Sequence, residues 1–115
     1  MATFHATLAY ELDPAVPADL RKLLVAEMAA RGWLDKAPGG QGLPAGALWA
    51  RRAAGPNEST DDVHRGCGED LASAAAAVER TTGHRVAVRR AWAQVAGAGT
   101  YGPLSVPATA PRSGG

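Results

Sequence analysis

Residues 2–12, A-T-F-H-A-T-L-A-Y-E-L, alternate from end to end. Apolar side chains stand at Ala2, Phe4, Ala6, Leu8, Tyr10 and Leu12, with Thr3, His5, Thr7, Ala9 and Glu11 between them. A β-strand turns successive side chains to opposite faces, so a period of two specifies a strand with one buried face. A strand this long demands neighbours and a layer over its apolar side. The remaining segments are read as supplying both.

Asp13-Pro14-Ala15-Val16-Pro17 ends the strand, because proline cannot donate to a ladder, and Pro17 suits the opening of a helix. Over 17–31, Leu20, Leu24 and Met28 recur at intervals of four, with Leu23 beside them, which is an amphipathic helix. Glu27 and Arg31 fall inside that apolar arc, four apart, and are expected to pair with each other at the rim. Gly32 is the expected helix stop. Trp33–Lys36 reads as a short second strand, Ala37–Pro44 as a turn-rich connection and Ala47–Ala53 as a third strand, together a loose hairpin.

Ser59-Thr60-Asp61-Asp62 is a capping box. It precedes Val63, Cys67, Leu71, Ala74, Ala75 and Val78, spaced mostly by three and four. This predicts a long helix ending near Thr82 at Gly83. The acids Asp61, Asp62, Glu69 and Asp70 near its start read as compensation of the helix dipole. Residues 84–96 form the last expected strand, in which Arg89-Arg90 break the alternation. A bulge there sets Val86, Val88, Ala91, Ala93 and Val95 on the buried face. The unbulged alternative buries Arg89 and exposes both valines; the bulge is preferred. From Gly97 the text has glycine, proline and small polar residues without periodicity, so 102–115 is expected to be disordered and 1–101 to form a single domain.

The order strand, helix, strand, strand, helix, strand predicts an α+β chain. Its expected form is a ferredoxin-like βαββαβ sandwich, an antiparallel sheet with two helices on one face and the other face open.

The chain has 115 residues, 46% of them apolar, and much of that share is alanine. The core must therefore be small, and each aromatic counts. The net charge of +1 excludes a surface that is everywhere a polyanion-binding field but leaves room for a local basic patch. The richness in alanine, glycine and arginine looks like a bacterial base-composition bias and carries no function. The single cysteine, Cys67, excludes an intrachain disulfide and suits a reducing cytoplasm. It lies on the apolar stripe as a structural thiol, and with His64 it makes an H-x-x-C that no second ligand pair accompanies. There is no basic segment leading into an apolar run and no apolar run of membrane-spanning length. A cytoplasmic location, no membrane and no cofactor are the expectations. No phosphate-binding or nucleophile-elbow motif is present.

The sheet face opposite the helices would collect Thr3, His5 and Thr7 from the first strand, Trp49 and Arg51 from the third, and Arg85, Arg89 and Trp92 from the last. Within it, His5, Thr7, Trp49, Arg51, Arg89 and Trp92 are the candidate binding or interface residues. Tryptophans among arginines on an open sheet would stack unpaired bases. The same face would equally serve as a homodimer interface, and Trp49 has the further option of pointing inward as core. The leading expectation is a small non-catalytic protein that acts by self-association or partner binding through this face. The alternative is a module that binds or cleaves single-stranded nucleic acid.

The RNA-recognition motif shares this topology, but G-A-L-W-A-R-R at 46–52 does not match its basic-glycine-aromatic octapeptide. In length and order of elements the chain resembles the small ferredoxin-like nucleases of CRISPR adaptation and the antitoxin endoribonucleases of the same fold. The former hold a metal with an Asp at the end of the first strand. Tyr10-Glu11-Leu12-Asp13 puts acids in that place, so the resemblance makes Asp13 the metal candidate.

Overall fold

The structure, a computed structural model, describes residues 2–36 and 40–97. The expected disordered tail, 102–115, lies outside the described residues. Among the described residues five elements follow one another: β1 (Ala2–Leu12), α1 (Ala18–Ala30), β2 (Ala47–Ala54), α2 (Thr60–Thr82) and β3 (Val88–Ala96). They form an α+β fold, with a three-stranded antiparallel sheet in the order β2-β1-β3 and two helices. The alternating stretch is thus the central strand.

Trp33–Lys36 does not form the expected strand. Leu34 makes one antiparallel bridge to Trp49, and Lys36 then bridges back to Gly42. The chain curls onto its own loop, as the bond from Leu43 N–H to Asp35 O shows, so a single residue is left alongside β2.

The even positions of β1 face the helices. Ala6, Leu8 and Leu12 are buried with Leu48 and Ala50 of β2, Leu20, Leu24 and Met28 of α1, and Cys67, Leu71, Ala74 and Val78 of α2. Leu23, beside the α1 stripe, is exposed. The expected Glu27–Arg31 pair forms at 2.9 Å, and the same guanidinium reaches Ser73 Oγ at 3.0 Å, tying the end of α1 to α2.

The end of α1 explains the best-buried aromatic. Gly32 has φ +88°, a left-handed conformation that glycine adopts without penalty. Gly32 N–H donates to Ala29 O and Trp33 N–H to Met28 O, the paired bonds of a Schellman motif. The motif reverses the chain and drops Trp33 into the core at 0% exposure. There its indole Nε1–H donates to Asp70 Oδ2 at 2.9 Å. Arg52 binds the same carboxylate oxygen and lays its guanidinium 5.0 Å from the Trp33 ring. Asp70 was expected only to offset the helix dipole; it also joins β2, α2 and the α1 exit.

The capping box of α2 closes as expected. Asp62 N–H donates to Ser59 Oγ, and Ser59 N–H donates to Asp62 Oδ2. That backbone bond, followed by those from Arg65 and the Ser59 hydroxyl, holds the Asp62 carboxyl below its ordinary value of 3.8. A carboxylate depressed in the folded state stabilises the fold above its unfolded pKa, and the gain fades as pH falls through the folded value. An Asp62→Asn variant will therefore unfold at lower urea than the parent at pH 7. The gap will narrow below about pH 3.8, as urea midpoints across a pH series will show.

Candidate functional site

The odd positions of β1 face away from the helices, and the register states which residues join them. His5 lies opposite Arg51 and Thr7 opposite Trp49 on one side. On the other, Thr7 lies opposite Gln94, Ala9 opposite Trp92 and Glu11 opposite Arg90. Directly opposed residues share a face. The open face therefore carries Thr3, His5, Thr7, Ala9 and Glu11, with Trp49, Arg51, Arg90, Trp92 and Gln94 around them.

The preferred bulge is present. Leu12 pairs with Val88 and Glu11 with Arg90, which leaves Arg89 as the extra residue. Both arginines then converge on one acid: Arg90 meets Glu11 Oε2 at 2.9 Å, and Arg89 lies 3.6 Å from Oε1. Val86 upstream is buried, as the bulged register requires.

Six sequence candidates thus reach one face, but not in equal states. Trp92 is 60% exposed. Trp49 is on the open face yet only 7% exposed. His5 stacks beside it at 6.1 Å between ring centroids and 13° between planes, and Arg51 lies 5.5 Å from its ring. Thr7 is exposed between the two tryptophan-bearing strands. Arg85 does not join the face: it precedes β3, at a shallow pocket with Asp13 and His84. Arg90 does join it. It stands two residues before Trp92, so the alternation that placed Trp92 outward could have found it.

Asp13 occupies the place read for a metal ligand, but its Oδ1 accepts the backbone N–H of Ala15 at 2.9 Å, the geometry of a turn. Among the described residues no group of three or more His, Cys, Asp or Glu is arranged to hold a metal ion. Cys67 is buried, donates to Val63 O, and burial pushes its thiol pKa up, away from the reactive thiolate.

A cleft of about 470 Å³ lies where β1 meets α1, lined by Tyr10, Leu12, Arg21, Lys22, Asp35 and others. Burial raises the Tyr10 phenol above its ordinary pKa, partly offset by Arg21. Arg21 itself is spent on the carbonyls of Val16 and Asp13, at 2.9 and 3.0 Å. This cleft joins α1 to the β1 exit and brings no nucleophile to a base. No helix among the described residues is long and apolar enough to cross a membrane. The sequence matches no protein-family model, and no curated protein or solved structure matches the chain.

Proposed function

We propose that this protein acts by association, as a non-catalytic module whose open sheet face binds a second copy of the chain. The exposure of Trp92 carries the reading. A tryptophan 60% exposed is costly to leave in water and is the residue type most enriched at the energetic centres of interfaces. Small side chains, Ala9, Thr7, Thr3 and Ala53, share the face with it and let a partner approach closely. The fold is taken as ferredoxin-like in the same reading. Leu34, on the side of β2 away from β1, holds the place of the missing fourth strand. The buried thiol of Cys67 suits a reducing cytoplasm.

Light scattering across a concentration series tests the proposal. The parent should form a dimer, and Trp92→Ala should weaken it about 30-fold or more, roughly 2 kcal/mol, with unchanged circular dichroism. A strict monomer at the highest concentration would overturn it.

A second reading, single-stranded nucleic acid, is favoured by Arg90 and Arg89 flanking Trp92 on the same face. It is weakened by Trp49, whose covered ring halves the stacking platform. Salt-dependent binding of labelled single-stranded RNA, lost on Trp92→Ala or Arg89→Ala, would favour it over self-association.

A further inference from the structure

Backbone bonding fixes which edge of the sheet is open. Leu34 and Trp49 exchange both of their backbone bonds, at 2.8 and 2.9 Å, so these groups of Trp49 point away from β1. Thr7, directly opposite Trp49, therefore turns its own N–H and C=O toward Gln94. Bonding sides alternate along an antiparallel strand. Arg90, Trp92 and Gln94 thus bond to β1, and Ala91, Ala93 and Val95 aim their N–H and C=O groups out of the sheet. The Ala93 carbonyl agrees: it lies 3.2 Å from His64 Nε2, on α2. Among the described residues no other hydrogen bond is made to this edge.

The bulge and the arginine pair at 89–90 guard only the start of this edge. Residues 91–96 read A-W-A-Q-V-A, with no proline and no charge. A groove of about 350 Å³ runs beside it, lined by His64, Arg65 and Gly68 of α2 and by Ala91, Trp92 and Ala93. Gly68 leaves open space there, since a Cβ built on it meets nothing within 4 Å.

We propose that β3 pairs antiparallel with β3 of a second copy about a two-fold axis through Trp92, joining two sheets into one of six strands. This rests on the self-association reading and keeps its Trp92 contact, but it brings the copies together at the β3 edge rather than over the open face. In this register each Ala91 lies opposite the partner's Ala93, and both present outward groups, as a bonded pair requires. Ala93 O keeps His64 and accepts the partner's Ala91 N–H on its second lone pair. On the open face the two Trp92 rings become neighbours in a non-bonded pair, where side chains approach most closely. Arg90 lies opposite the partner's Gln94, so no like charges oppose each other. Moving the axis to Ala93 sets Trp92 against Gln94 and loses the aromatic pair. Moving it to Ala91 sets each Arg89 bulge against the partner's Ala93, beside the centre of the ladder, whereas about Trp92 it falls at the end, opposite the partner's Val95.

Cross-linking in a Cys67→Ala background tests the register. Trp92→Cys should give a disulfide dimer on mild oxidation, since non-bonded partners sit about 4.5 Å apart at Cα, within disulfide range. Gln94→Cys alone should not, because its two copies stand four residues out of step, roughly 13 Å. A mixture of Arg90→Cys and Gln94→Cys proteins, which keeps Trp92, should cross-link. If light scattering shows a dimer and neither Trp92→Cys nor the mixture cross-links, edge pairing is overturned and self-association stands. A parent that is monomeric throughout overturns both.

Discussion

Trp33→Ala will destabilise the fold by about 3–5 kcal/mol, the cost of removing a large aromatic from a packed core. Domains of this size are stable by only about 5–15 kcal/mol, so much of the margin goes. The ring is wholly buried because the Schellman turn at Gly32 leaves the chain no other course. Removing it opens a cavity below α1 and α2 and also takes from the Asp70 oxygen one of its two donors, leaving Arg52. Trp33→Phe separates these terms. It keeps most of the ring and loses the hydrogen bond, for about 1–1.5 kcal/mol plus a smaller void. Urea denaturation of both variants reads the difference. A cost for Trp33→Ala below about 1 kcal/mol would remove Trp33 from the core.

Asp70→Ala comes second, at about 2–3 kcal/mol. One carboxylate oxygen accepts from both Trp33 Nε1 and Arg52, so its loss leaves a buried indole donor without a partner and takes from Arg52 its counter-charge, leaving it the Arg31 carbonyl and the Trp33 ring. The cost stays below that of a fully buried pair because Arg52 and Asp70 keep 29% and 28% of their side-chain surface in water. Asp70→Asn retains an acceptor for Trp33 and loses only the charge, for about 1 kcal/mol or less. Equal losses in the two variants, measured by urea denaturation at neutral pH, would show that the indole bond contributes nothing.

These two residues also mark where the sequence stops being legible. Period-two alternation located β1 to the residue, and apolar spacing with Ser59 and Gly83 located α2, because those signals are local and repeat. The bulge was readable for the same reason: two valines and an alanine row could share a face only if one arginine were surplus. Asp70 could not be read, since its partners are 37 and 18 residues away and nothing local distinguishes it from a dipole-compensating acid. Trp33 was misplaced because W-L-D-K resembles a strand, while the turn at Gly32 sends its first residue inward. Of the candidate face, position was legible and exposure was not. Trp49 and Trp92 share a face, but burial of the first depends on His5 and Arg51, which no spacing rule couples to it.

The surplus arginine has a consequence for how this chain tolerates changes of length. Anywhere else in β3, deleting one residue would exchange the two faces beyond it and send alanines and valines to the wrong layer. Between Val88 and Ala91 the reverse holds. Removing Arg89 would leave Val88 opposite Leu12 and Arg90 opposite Glu11, as they already are, in a regular ladder. The strand carries one residue it does not need for its register. What that residue adds is a second cation on Glu11, which makes 89–90 the point in β3 where deleting a single residue leaves every other side chain in its layer.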